Sequence, residues 1–214
     1  MKSLKGKAIV FLADGMADEP VEALGGKTPL EAVDTPCMDS IARNGASGTF
    51  LTLPEGFPTS SDAANMSVLG YDLASFYPGR GPIEAVSQGI KLGPDDIAWR
   101  CNLVTVEDGI LRDYSAGHIS KERAKAFMDA LAERFNSDKV TFYSGVSYRN
   151  LLVLHGAEFS ADVDYFKPDS SQDLPVSELR LKAKSPAAQH TVEFVEKLMA
   201  EAAAERQALQ EYAA

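Results

Sequence analysis

The first apolar feature is a continuous run at 7–13 (KAIVFLA), rich in β-branched residues and ending at Asp14-Gly15. Such a run predicts a buried strand followed by a loop. Residues 35–44 (TPCMDSIARN) instead carry a helical rhythm, with Met38 and Ile41 on one face. Thr35 would cap that helix, Pro36 sits in its first turn and Gly45 would end it. A second strand is expected at 46–53 (ASGTFLTL), before the Pro54-Glu55-Gly56 turn. A helix capped by Ser60, Ser61 or Asp62 then runs over 60–70, and a short helix follows at 82–89. Strand, helix, strand, helix predicts a parallel α/β sheet.

From about residue 91 the pattern changes. Segments 98–106 and 109–114 flank Glu107-Asp108 and predict a hairpin. Residues 121–135 (KERAKAFMDALAERF) form a one-sided helix with Ala124, Phe127, Met128, Leu131 and Phe135 on its apolar face and Ser120 as cap. Strands are expected at 140–143 and 151–154, around 145–149. Residues 160–184 have no period and predict a returning loop, whereas 185–212 predict a long helix entered through Pro186. The expected organisation is a core over 1–90, an inserted α+β lobe over 91–184 and a returning helix over 185–214. No strand follows that helix, which leads to the expectation of a truncated core.

Composition narrows the class. With 45% apolar and 24% charged residues, the 214-residue chain reads as an ordinary globular protein. A net charge of -10 disfavours nucleic-acid binding, which needs clustered Lys and Arg. Two cysteines without ligand spacing, Cys37 and Cys101, fit a reduced, cytoplasmic setting. The first apolar run is too short for a signal peptide, and no stretch reaches the roughly 20 apolar residues of a membrane span.

Two residues stand where chemistry is usually placed. Asp14 follows the first expected strand, where α/β sheets collect ligands, so it is either a metal carboxylate or a turn former. Ser61 opens an expected helix, whose free N–H groups and dipole favour an anion. It is either a nucleophile or a simple cap.

The ordered segments ADGMAD, GGKTPLEAVDTPCMDSIARNGASG, PTSSDAANMSVLGYD, YPGRGPIEA, WRCNLVTVEDG, DYSAGHIS and GVSYRNLLVL resemble the archaeal-type cofactor-independent phosphoglycerate mutases of the alkaline-phosphatase superfamily. The likeness covers roughly residues 7 to 155. It implies an incomplete alkaline-phosphatase-like parallel core with a smaller inserted α+β lobe. It also implies a metal-binding role for Asp14, and for Ser61 both phosphorylation and metal contact. Asn65, one turn beyond Ser61, lies near enough to assist it. Arg80, Arg100, His118 and Arg149 would hold the carboxylate and phosphate of a small phosphorylated hydroxy acid. Lys27 reads more simply as a solvated lysine after a glycine turn.

The implied cofactors are two divalent cations (Mn, Mg or Zn), with no 2,3-bisphosphoglycerate. The family's further DxxxH and DH ligands have no counterpart here, since His118, His155 and His190 sit in no such pattern. His155 reads as a strand-end residue and His190 as part of the long helix. The chain alone is therefore expected to be inactive, and an incomplete sheet edge would invite self-association. The alternatives are a homoserine-kinase-like phosphotransferase and a non-catalytic ligand-binding paralogue.

Overall fold

The computed structural model describes residues 6–13 and 15–212, with side chains described as far as residue 204. The chain divides into two compact units, Met1–Pro54 and Glu55–Ala214.

In the first unit a short 3-10 turn, Glu22–Leu24, ends at Gly25 in the left-handed region. Helix α1 (Pro29–Ala32) is held by a reciprocal cap: the Thr28 N–H donates to Glu31 Oε2 at 2.8 Å, and the Glu31 N–H donates to Thr28 Oγ1 at 3.3 Å. Helix α2 (Pro36–Asn44) starts at Pro36 and closes where the Gly45 N–H meets the Ile41 carbonyl, as its sequence predicts.

The strands expected at 7–13 and 46–53 do not form. Neither segment joins a ladder among the described residues, and their apolar side chains lie open, with Phe11 89% and Leu51 74% exposed. A strand is completed by a neighbour's N–H and C=O groups and by packing on its faces; β-branched composition alone supplies neither.

The second unit opens with α3 (Ser61–Val68), α4 (Leu73–Phe76) and α5 (Arg80–Ser87). Its main sheet has three strands in the order β1 (Ile97–Asn102), β5 (Arg149–Leu154), β4 (Val140–Val146). Every strand pairing among the described residues is antiparallel, so the fold is mixed α/β without the expected parallel sheet. Strands β2 (Thr105–Glu107) and β3 (Ile110–Asp113) form a separate hairpin. Its turn, Asp108-Gly109, has both φ angles positive, at 50° and 74°, as tight two-residue turns require. The segment read as one strand over 98–106 is thus two, because β1 leaves the hairpin to pair with β5.

Central strand β5 is buried on both faces, which explains its unbroken LLVL run. Leu152 and Leu154 pack with Phe142, with Met128 of α6 (Lys121–Phe135), and with Val192, Val195 and Leu198 of α7 (Gln189–Tyr212). Leu151 and Val153 face the other way, onto Ala98 of β1 and Ala85 of α5. Helix α6 runs over the predicted residues and is capped by Ser120, whose hydroxyl accepts from the Arg123 N–H. The stretch expected to be a plain loop carries a two-strand clip of β6 (Val163–Asp164) with β7 (Lys182–Ala183). Among the described residues no helix is long and apolar enough to cross a membrane.

Candidate active site: a serine-led helix and an arginine cluster

Ser60 is the extended residue before α3, so Ser61 occupies the helix's first position and is not the cap. Ser61 and Asn65 are both exposed, one turn apart, while Ala63 is fully buried on the opposite side. Tyr77 braces the turn that carries Ser61. Its hydroxyl donates to Asp62 Oδ2 at 2.6 Å, and its ring lies edge-on to Phe57 at 6.3 Å. Burial raises the Asp62 carboxyl, but hydrogen bonding led by Tyr77 outweighs it, with the Arg80 charge the smallest contribution, and holds the group below its ordinary range. Burial, reinforced by Asp62, pushes the Tyr77 phenol up to about 12. Asp62 Oδ1 is buried without a hydrogen-bond partner.

The arginines gather where α5 crosses β1. Gly81 allows this approach: a Cβ there would sit 2.0 Å from the Ala98 carbonyl oxygen. Along β1, Ala98, Arg100 and Asn102 share the face that turns toward α5, and Leu151 and Arg149 stand opposite Arg100 and Asn102. The Arg80 Nε–H donates to Glu84 Oε1 at 2.8 Å, and Arg100 Nε lies 3.3 Å from Glu84 Oε2. The second contact is an ion pair without hydrogen-bond alignment, which leaves Arg100 Nε–H buried and unsatisfied. Burial is the largest influence on Arg100 and lowers its pKa; Glu84 opposes that effect, and the Arg80 and Arg149 charges add to it.

The Arg149 guanidinium lies over the Tyr148 ring at 5.2 Å, and Tyr148 meets Tyr114 edge-on at 5.9 Å. Buried Asn150 fixes this hairpin by accepting from the Gly145 N–H at 2.9 Å and donating to the Tyr148 carbonyl at 3.2 Å. The Ser147 hydroxyl donates to the Ile119 carbonyl at 2.6 Å, tying the hairpin to the loop that holds His118. His118 is exposed, with a positive φ of 53° and its N–H on Ser115 Oγ. It lines an open cavity of about 240 Å³ with Ser120, Arg123 and Phe127.

The structure therefore brings Arg80 and Arg100 together on Glu84, with the Arg149 charge near enough to act on Arg100, and sets the His118 loop against the Tyr148 hairpin. Asp14 lies outside the described residues. Asp62 was read from the sequence only as a possible helix cap, and Tyr77, Glu84 and Tyr148 were not singled out. The spacing of Arg80 and Glu84, four residues apart on a helix, was the one signal available. Lys27 sits in an isolated bridge with Val21. His155 follows β5 and contacts Asp96 and Thr141, whereas His190 stacks on Phe159. Among the described residues, no group of three His, Cys, Asp or Glu side chains converges as a metal site.

Comparison with solved structures defines the class. The chain is similar to a cofactor-independent phosphoglycerate mutase from Thermoplasma acidophilum, with a TM-score of 0.52 and 31% identity over 88% of this chain and 49% of that one. Among curated relatives, a 2,3-bisphosphoglycerate-independent phosphoglycerate mutase of Methanosarcina acetivorans is 51% identical over 76% of this chain and 41% of its own length. One of the same name from Methanopyrus kandleri is 38% identical over 93% of this chain and 48% of its own length. The chain belongs to the 2,3-bisphosphoglycerate-independent phosphoglycerate mutase family, whose model matches residues 42–208. It spans under half the length of both curated relatives.

Proposed function

We propose that this chain supplies the phosphoryl-accepting serine and the anion-holding arginines of an enzyme that interconverts 3-phosphoglycerate and 2-phosphoglycerate. The observation that carries the reading is Ser61, exposed at the head of α3 in a family member, on a turn that Tyr77 braces through Asp62. In this reading Ser61 Oγ attacks the substrate phosphorus. The bond to the glycerate oxygen breaks as the phosphoserine forms, and the proton lost by the serine hydroxyl ends on the released glycerate oxygen. Arg100 and Arg149 retain the glycerate by its carboxylate while it reorients, and its other hydroxyl then takes the phosphoryl group back. Arg80 and the first N–H groups of α3 offset charge on the moving phosphoryl oxygens.

The relatives' name, independent of 2,3-bisphosphoglycerate, supports a reaction without that cofactor. Two divalent cations, Mn, Mg or Zn, belong to the proposal, with Asp14 and Ser61 as this chain's contribution. The described residues do not gather a ligand set by themselves. The same reading makes 7–13 and 46–53 strands of a parallel, alkaline-phosphatase-like sheet completed by further chain. It also takes the setting to be reducing and cytoplasmic, and an open sheet edge to favour self-association.

The test is a coupled mutase assay on the chain mixed with the remaining C-terminal part of the M. acetivorans relative, with Mn²⁺ present. Turnover and phosphoserine at Ser61 by mass spectrometry are expected, and S61A should lower turnover by about a thousandfold or more. Full activity in S61A would overturn the assignment. Turnover of homoserine with ATP in place of phosphoglycerate would point to the sister phosphotransferase.

A further inference from the structure

Glu84 is the one carboxylate that the described contacts set between Arg80 and Arg100. The Arg80 and Arg149 charges both act on Arg100 at this place, and Arg149 stands opposite Asn102, two residues along β1 from Arg100. With Glu84 on Arg80 and Arg100, and Asp62 within reach of the Arg80 charge, two carboxylates against three arginines leave an excess of one positive charge on a chain whose net charge is -10. The side chains of Arg100 and Glu84 are 26% and 24% exposed, so water screens them only in part. Glu84 cannot swing far. It is anchored one turn from Arg80 on α5, and α5 is pressed onto β1 at Gly81.

We propose that Glu84 is a built-in competitor that sets the affinity and charge preference of the arginine cluster for anions. This rests on the reading of the cluster as the substrate-anion site. Glu84 holds Arg80 beside Arg100, so the site is ordered before a ligand arrives. The same carboxylate repels the incoming anion and keeps binding from becoming too tight. That restraint matters in a reaction whose glycerate must turn over within the site and whose product must leave. Extra binding shared equally by every bound state slows release without helping the chemical step. A dianionic phosphate feels this repulsion about twice as strongly as a monoanionic carboxylate, so Glu84 also narrows the preference between the two.

The sign of the effect separates this role from a structural one. Loss of a structural brace can only weaken binding, whereas loss of a competing charge strengthens it. At a separation near 6 Å and an effective dielectric of about 40, removing one like charge corresponds to about a tenfold gain for each ligand charge.

The experiment titrates the 214-residue chain with 3-phosphoglycerate, inorganic phosphate and glycerate, following the arginine Nε–H signals by NMR, at low salt and at about 0.5 M salt. E84Q keeps the acceptor for Arg80 without the charge, and E84M serves if E84Q fails to melt cooperatively. The expected result is that the neutral variant binds glycerate about tenfold and phosphoglycerate about a hundredfold more tightly at low salt, and loses most of the advantage at high salt. R100Q should abolish binding in either background. Equal or weaker binding by a folded neutral variant, with R100Q still abolishing binding, overturns the role of Glu84 and leaves the arginine site standing. Binding that survives R100Q, or no binding by the unaltered chain, overturns the arginine site and this inference with it.

Discussion

At the scale of single residues, the turn around Ser61 depends on a partner fifteen positions away. Tyr77 closes on Asp62, and through Phe57 it also steadies the chain before the serine. The Asp62 carboxyl is held below its ordinary range, as is Asp96, where burial raises the group and bonds from the Gly93 N–H and His155 outweigh that. A carboxyl with a lowered folded pKa adds stability that is fully present above its unfolded value, about 3.9. That stability is lost as pH falls through the lower folded value. Stability should therefore decline on acidification below about pH 4. In Y77F the Asp62 titration, read from its side-chain carboxyl ¹³C shift, should move upward and its share of the acid loss should shrink. An unmoved Asp62 titration would mean that the hydrogen bond does not set it. Ser61, Arg80, Arg100 and Arg149 were legible in the sequence through motif resemblance. Asp62, Tyr77 and Glu84 were not, because their importance lies in partners that only the placed helices bring near.

At the scale of elements, legibility followed locality. Helix α6 could be read because its apolar stripe and its Ser120 cap lie within one short window. The β4–β5 hairpin could be read for the same reason. The break between β1 and β2 could not, since β1 is defined by β5, far along the chain. The 7–13 and 46–53 segments carry strand composition and yet pair with nothing among the described residues. The contact of α5 with β1 was equally hidden, and it is the one that positions the arginines. Gly81 is its weak point: in G81A the new methyl meets a backbone carbonyl, which cannot swing aside as a side-chain end would. G81A should cost about 3 kcal/mol or more, read from the urea midpoint. It should also disturb the Arg80 and Arg100 Nε–H signals. A change of under about 1 kcal/mol would mean that α5 lifts easily.

At the scale of the molecule, the two units differ in kind. None of the described residues of the first is buried, whereas both apolar clusters lie in the second. Family resemblance extends across both, so the motifs carry no sign of this contrast. Within the second unit, β5 pairs on one side with β4 through a tight turn, Val146 opposite Arg149, and on the other with β1, where Ile97 meets Leu154. Closing the short turn costs little chain entropy, and bringing β1 home costs considerably more. The strand at the centre of the sheet should therefore act as a timer, with the β4–β5 hairpin forming early and β1 docking after the folding barrier. In stopped-flow refolding, truncations such as V140A should slow folding, while I97A should chiefly hasten unfolding. The reverse pattern would make β1 the nucleus. If β1 docks last, Arg100 reaches Arg149 and Glu84 only at the final step, so the anion site is assembled by the same event that completes the sheet.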